Sequence, residues 1–222
     1  MKNPFEAFRD YFEDHPSKTS ISKTGREQES NILPILPFFE KIREESTPLA
    51  AIVLNNTVIE GLYKKIIKLV ENYAFSASQI EDFTYKLCLE LIKAPFDSIK
   101  GGIFISALIN TSPGKLFFLE IPDSNHLVHF LGYQLPEGKT IEIDGNTGDF
   151  LGTNLSGGTI SVSGNVRDWA GTGMKGGRIV INGSCGRFAC EWMRGGNFLV
   201  TGKIESLGKV IKGEIREFAE RQ

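Results

Sequence analysis

The sequence has few of the features that mark a secreted, membrane-bound or nucleic-acid-binding protein. Its 222 residues include three cysteines, an odd number that does not make a disulfide scaffold, and the N-terminus lacks an apolar signal core. No apolar run approaches the roughly 18 residues that span a bilayer. The net charge of −2 indicates no basic surface for nucleic acid. These absences predict a cytoplasmic protein with reduced thiols that binds neither nucleic acid nor membrane.

Glycine is plentiful but unevenly distributed. Of the 24 glycines, 18 lie between Gly138 and Gly213. The rest of the composition is ordinary, with 41% hydrophobic residues in a chain long enough to bury a substantial core. We therefore predict an α+β protein with two differently built parts, a helical N-terminal segment over 1–99 and a β-rich part over 100–222.

The N-terminal part has mainly helical periodicity. Aromatic residues recur at helical spacing near the N-terminus, and a polar linker follows over about 17–32; the aromatic residues are Phe5, Phe8, Tyr11 and Phe12. A short helix is predicted over 34–45. Capping boxes over 57–60 and 78–81 each begin an amphipathic helix, and Pro95 ends the second helix. The last two helices predict a helical hairpin.

The segment after residue 100 has strand-like runs. These runs cover 103–105, 116–121 and 126–131, and the turn signal Ser112-Pro113-Gly114 separates the first two. We expect these strands to cap one end of the β-rich part. A short helix over 214–219 is expected to cap the other end.

A repeat of 19 residues begins at Pro136. The segments LSGGTISVSG, MKGGRIVING and MRGGNFLVTG start at residues 155, 174 and 193, and the degenerate copy PEGKTIEIDG starts at 136. A short fixed period without helical spacing is typical of a β-solenoid with one coil per repeat. Apolar positions two residues apart share one strand face and predict two inward columns. These are Ile141, Ile160, Ile179 and Phe198, and Ile143, Val162, Ile181 and Val200.

Other positions of the repeat also align. Further apolar columns contain Leu155, Met174 and Met193; Val166, Cys185 and Ile204; and Phe150, Trp169, Phe188 and Leu207. Glycine columns at 138, 157, 176 and 195 and at 145, 164, 183 and 202 predict corners that need positive φ or a close neighbouring coil. The outward column contains Glu142, Ser161, Val180 and Leu199. Trp192 is also expected to face outward, and Arg167, Arg194 and Lys175 to be solvated.

The repeat resembles a known family. The run GTGMKGGRIVING over 171–183 resembles the GXGXG family, which forms the C-terminal β-helix of the glutamate synthase large subunit and one of the subunits of formylmethanofuran dehydrogenase. The resemblance covers about residues 130–213. It implies a single-stranded right-handed β-helix with an architectural role beside catalytic partners and no catalytic residue of its own. The chain lacks an N-terminal glutaminase cysteine, a flavin barrel and a cluster-binding cysteine set.

Several residue patterns suggest chemistry, but each has a structural explanation. Residues 171–176 fit the dinucleotide pattern G-x-G-x-x-G, yet a strand rather than a helix is predicted to follow. Ser112 and Lys115 fit S-x-x-K only nominally, within a turn. His126 and His129 fall on opposite faces of a predicted strand and make a poor ligand pair. We therefore assign no catalytic, cofactor-binding or metal-binding residue and expect no cofactor.

The three thiols are interpreted in the same way. Cys88 and Cys185 are expected to be core residues. Cys190 is expected to be more exposed, and a redox or metal role for Cys185 with Cys190 is the alternative.

Two hypotheses of function follow. In the first, the protein is a non-catalytic structural or assembly subunit of a redox or amidotransfer complex, and it binds catalytic subunits or further copies of itself. Val180 and Leu199 would then form a docking stripe, unless the protein's own helices cover them. In the second, a stand-alone enzyme or ligand-binding protein has a pocket between the helical hairpin and the β-helix, near His126, His129 and Cys190.

Overall fold

The computed structural model describes residues 31–44, 56–92, 95–122 and 127–218. Within these ranges four helices come first and six strands follow, which establishes the α+β class for the described part of the chain. The helices are α1 (Leu36–Arg43), α2 (Asn56–Val70), α3 (Ala77–Lys86), continued by a π-helical turn (Leu87–Leu91), and α4 (Pro95–Thr111). The strands are β1 (Leu116–Glu120), β2 (Thr140–Asp144), β3 (Thr159–Val162), β4 (Arg178–Ile181), β5 (Asn197–Val200) and β6 (Glu214–Glu217).

Some predictions fall outside the described residues. They are the N-terminal aromatic helix with Phe5, Phe8, Tyr11 and Phe12, the linker up to residue 30, and His126. The predicted helices over 34–45 and after residue 57 are confirmed by α1 and α2.

The six strands form one parallel sheet in chain order. Each strand pairs with the next one along the chain, so the chain winds as a parallel β-solenoid. The predicted inward columns are confirmed by this register, in which Ile141 pairs with Ile160, Ile160 with Ile179, and Ile179 with Phe198. All four side chains are fully buried.

A column of aromatic rings runs beside the sheet. The ring of Phe150 stacks on Phe130 at 4.5 Å between centroids, and Trp169 stacks on Phe188 at the same spacing. Phe150 and Trp169 are 5.9 Å apart and nearly parallel. These four residues have φ between 56° and 66°, a region that residues other than glycine rarely occupy. Stacking over successive coils offsets the cost of that conformation.

The degenerate repeat has a structural explanation. Lys139 stands where the other copies have a second glycine. Its Nζ donates to the carbonyl oxygens of Ser112 and Gly114, the latter at 2.6 Å. The lysine therefore ties the first complete coil to the turn that precedes β1.

The predicted strand over 103–105 is wrong, because these residues lie within α4. Ile103, Phe104 and Ile105 are all fully buried. A helix that is apolar on every side is buried on every side, and a short apolar run does not distinguish it from a buried strand. Helix α4 also crosses residues 99 and 100, so the change from helix to solenoid comes after Thr111.

Helix α4 covers the first end of the solenoid. Ser106 Oγ accepts the N–H of Tyr133 at 3.1 Å and lies 3.0 Å from the carbonyl oxygen of Phe130. The buried residues of the helices and of the solenoid form one hydrophobic cluster. The expected cap at this end is therefore helical rather than a set of strands.

The predicted strand over 126–131 is also corrected within its described part, 127–131, where no strand is present. Phe130 has a φ of 60°, which breaks an extended backbone. The N–H of Phe130 donates to the Asp149 carbonyl oxygen at 2.9 Å, and that of Gln134 donates to Thr153. This segment therefore forms the first corner of the solenoid.

Two further predictions need correction. The capping box of α3 is formed by Ser76 with Gln79, not over 78–81, and the helix begins two residues earlier. Glu81 instead accepts the N–H of Phe118 at 2.9 Å and ties α3 to β1. The predicted C-terminal helix over 214–219 is wrong in its described part, because Glu214–Glu217 is strand β6. Pairing of Ile215 with Phe198 extends the inward-facing column and overrides helical propensity.

The expected outward stripe is largely covered. Val180 and Ser161 are only 3% and 4% exposed, whereas Leu199 is half-buried. Val180 lies in an inner strand of the sheet, where it pairs with Ser161 on one side and with Leu199 on the other. The prediction of an exposed apolar stripe through Val180 is therefore wrong, and Leu199 is its accessible end.

Candidate functional site

His129 lies where the helical cap meets the first coil. Its backbone N–H donates to the Ser98 carbonyl oxygen of α4 at 3.4 Å. Its imidazole Nδ1 lies 2.9 Å from the backbone nitrogen of Asp149 and 3.1 Å from the Asp149 carboxylate. A neutral ring accepts the N–H, and a protonated ring donates to the carboxylate. Arg167 Nε lies 3.7 Å from the same carboxylate.

Asp149 is the centre of this group. Burial raises the pKa of its carboxyl, but His129, Arg167 and the Asp168 N–H outweigh burial and leave the pKa below its ordinary value. Asp149 Oδ1 accepts that N–H at 3.1 Å. The site is thus a histidine–carboxylate pair with a neighbouring guanidinium, a set of groups that can hydrogen-bond a small polar molecule.

The aspartate and arginine of this arrangement recur one coil later, without the histidine. Asp168 Oδ1 accepts the Arg187 N–H at 2.8 Å, and Asp168 Oδ2 lies 2.9 Å from the Arg187 guanidinium. Asn146 and Asn165 accept backbone N–H groups of the following coil in the same way. The apolar columns of the repeat do not include these residues. Extending the repeat alignment to its polar positions would have placed Asp149 with Asp168 and Asn146 with Asn165.

The lowered pKa of Asp149 predicts a pH-dependent contribution to stability. Because the folded state holds this proton less tightly than the unfolded state, the contribution is present above the unfolded pKa of about 4 and is lost as pH falls through the folded value. We expect the difference in unfolding free energy between wild type and Asp149→Asn to be smaller at pH 3 than at pH 7, measured by urea denaturation. In a His129→Ala background, the effect of Asp149→Asn on the unfolding free energy should differ less between pH 3 and pH 7. An equal difference at both pH values would contradict the prediction.

The cysteines are buried and separate from His129. Cys88 and Cys185 are confirmed as core residues, but the expected exposure of Cys190 is wrong because it is fully buried. Burial raises the pKa of Cys88 and of Cys185 to about 12 and raises that of Cys190 further. The Cys190 N–H donates to the Ala170 carbonyl oxygen. Cys190 therefore lies in the coil after that of Ala170, apart from the His129–Asp149 pair of the first coils. The predicted convergence of His129 and Cys190 is therefore not observed.

Thiol reactivity tests this burial. We expect no thiol of the folded protein to react rapidly with a disulfide reagent at pH 8, because a protonated, buried thiol is a poor nucleophile. All three thiols should react in denaturant. Absorbance of the released thiolate counts them, and rapid modification of Cys190 in the native protein would contradict the assignment.

The other sequence motifs are explained by the fold. The glycines over 171–176 precede strand β4 rather than a helix, so the phosphate-binding geometry of a dinucleotide fold is not formed there. Ser112 Oγ donates to the Phe75 carbonyl oxygen at 2.8 Å and accepts from Gly114, so its hydroxyl has a structural role. Trp192, 46% exposed, is confirmed as outward-facing, and the side chains of Arg167, Arg194 and Lys175 are exposed as predicted.

The helices also carry a concavity that the sequence patterns do not predict. A shallow groove between α1 and α2 has an apolar floor and three lysines at its rim; its lining is Lys41, Ile42, Lys65, Lys68 and Leu69. Neither His129 nor Cys190 lines this groove.

The described residues hold neither a metal-binding cluster nor a membrane-spanning helix. Across 31–44, 56–92, 95–122 and 127–218, no three His, Cys, Asp or Glu side chains are grouped so that they could hold a metal ion. None of the helices in these ranges combines the length and apolarity needed to cross a membrane. Comparison with protein-family models, curated proteins and solved structures finds no match for this chain.

Proposed function

We propose that the protein is a non-catalytic assembly subunit that binds the catalytic subunits of a redox or amidotransfer complex. In this proposal the solenoid is a right-handed β-helix of 19-residue coils of the GXGXG type, and the complex is similar to glutamate synthase or formylmethanofuran dehydrogenase. The family assignment rests on the repeated glycine motif over 171–183. The cytoplasm is the proposed location.

The observation that carries this proposal is that polar side chains form hydrogen bonds between successive coils. Asn146, Asn165, Asp149 and Asp168 each accept a backbone N–H of the next coil. These oxygens are satisfied by the protein's own backbone instead of converging on a cleft. Such a stack supports a rigid surface for a partner better than it supports chemistry.

Purification from the native organism tests the proposal. We expect a tagged chain to co-purify with subunits that carry a flavin or a molybdenum or tungsten cofactor. Leu199→Asp, at the accessible end of the outward column, should release them, whereas the exposed control Lys175→Glu should retain them. Circular dichroism of both variants must match wild type. Recovery of the wild-type chain alone would contradict the proposal.

The His129–Asp149 contact favours a second candidate, a stand-alone enzyme or small-ligand-binding protein. The two side chains are 20% and 25% exposed, so both are accessible to solvent. Substituting His129→Ala should leave cellular function intact if the first proposal holds. Loss of function with a native circular dichroism spectrum would favour the second candidate.

A further inference from the structure

The two ends of the solenoid differ in how they are covered. At the first end α3 packs on β1, and α4 lies beneath the first corner. At the last end β6 is the edge of the described sheet. Apolar side chains of the last coil are exposed there by 36–55%; they form the end patch, Leu207, Val210 and Ile211. Ile215 is only half-buried, although Phe198 above it is fully buried.

The backbone of β6 is oriented to accept another strand. The N–H of Glu214 donates to the carbonyl oxygen of Gly196, and the N–H of Phe218 donates to the carbonyl oxygen of Val200, both at 2.9 Å. Because these groups alternate along a strand, the N–H and C=O of Ile215 and Glu217 face away from β5. They point toward the position that a seventh strand would occupy.

The sequence of β6 is complementary to itself in one antiparallel register. A two-fold axis through Ile215 places the outward groups of Ile215 opposite those of the second copy. Within one copy Arg216 Nε already donates to the Glu214 carboxylate at 2.6 Å. This register places that ion pair against the same pair of the second copy, with Glu214 facing Arg216 twice. Registers centred on Glu214, Arg216 or Glu217 instead put each of these charges opposite itself, which is unfavourable.

We propose that the last end of the solenoid is a homodimer interface, in which β6 pairs antiparallel with β6 of a second copy across a two-fold axis through Ile215. The pairing joins the two sheets edge to edge and brings the end patches of the two copies together. Short, charged edge strands otherwise prevent pairing. Here the alternating charges of Glu214 and Arg216 disfavour pairing with strands that lack this E-x-R pattern, and they favour pairing with a second copy of β6. This inference goes beyond the proposed function, which concerns a different partner.

Charge reversal on the full-length chain tests the interface. Wild type is expected to be a dimer by light scattering at about 50 μM, and Glu214→Arg or Arg216→Glu alone should weaken dimerisation on the order of 30-fold, because two attractive pairs become repulsive. Mixing the two single variants should restore a dimer composed of one copy of each. The double variant E214R/R216E should dimerise as wild type does. Ile211→Asp in the end patch should also dissociate the dimer.

Controls separate an interface from a folding defect. Lys115→Glu, an exposed reversal at the other edge of the sheet, should leave the mass unchanged, and every variant should keep the wild-type circular dichroism spectrum. A wild-type chain that stays monomeric overturns the proposal. So does a dimer that neither single charge reversal weakens, or single variants that mixing does not rescue. Since this readout is oligomeric mass alone, it is distinct from failure to recover catalytic subunits.

Discussion

Gly102→Ala is expected to destabilise the protein by about 3 kcal/mol, because it forces the helical cap away from the solenoid. A Cβ at Gly102 would lie 1.7 Å from the carbonyl oxygen of His129 and 2.8 Å from its carbonyl carbon. Both atoms belong to the backbone of the first corner, so no side-chain rotation relieves the clash. Urea denaturation measures the loss, and near-ultraviolet circular dichroism reports the altered packing of the cap.

The neighbouring glycine provides a matched control. A Cβ at Gly101 would lie 2.5 Å from Leu87 Cδ2, the far end of a flexible side chain. Both substitutions gain about 1 kcal/mol of helix propensity. We therefore expect Gly101→Ala to change the unfolding free energy by less than about 1 kcal/mol. Equal destabilisation by the two substitutions would contradict the close approach of α4 and the first corner.

Gly183→Val is expected to disrupt the coils, with a loss of about 3 kcal/mol or more. A Cβ at Gly183 would lie 2.6 Å from the carbonyl oxygen of Gly164 and 2.5 Å from Asn165 Oδ1. The same carbonyl oxygen accepts the Gly183 N–H at 3.1 Å, so separating the coils also breaks a backbone hydrogen bond. Thermal unfolding followed by circular dichroism measures the effect.

Gly61→Val is the control for this substitution. Gly61 is exposed on α2, and a Cβ there would meet nothing within 4 Å. Valine has a slightly better helix propensity than glycine, so we expect a change within about 0.5 kcal/mol. If Gly183→Val is tolerated as well as Gly61→Val, the glycine column is not a site of close coil contact.

The register of the solenoid could be predicted because the same information occurs in each repeat. A single apolar alternation, such as that of Ile160 and Val162, indicates a strand but not its partner. Three copies in one alignment also fix the partners, since a shift by one residue would turn every inward side chain outward. The columns of β2 to β5 followed from this reasoning alone.

The ends of the solenoid were harder to predict because they lack such copies. Residues 103–105 have the composition of a strand, but Pro95 begins a helix that is buried on all sides and includes them. Residues 214–217 were predicted to be helical, and pairing with β5 makes them a strand. In both places a contact with a distant element overrides the local preference of the sequence.

The candidate site was only partly predictable. His129 was named only beside the pocket of the second hypothesis. Its partner Asp149 was not identified, because the apolar columns were aligned and the polar ones were not. Cys190 was expected to be near the surface, yet its side chain is fully buried. The backbone of Cys190 has a φ of 60°, so the alternation of inward and outward side chains along a strand does not apply to this residue.

The in-register pairing of β2 to β5 makes neighbouring coils interchangeable. Arg178 pairs with Thr159 on one side and with Asn197 on the other, in equivalent positions. If one whole repeat were lost or duplicated, the flanking strands would meet new partners with the same hydrogen-bonding pattern. Recombination within the gene can therefore lengthen or shorten this molecule in steps of one strand spacing, about 4.8 Å, without redesigning either end.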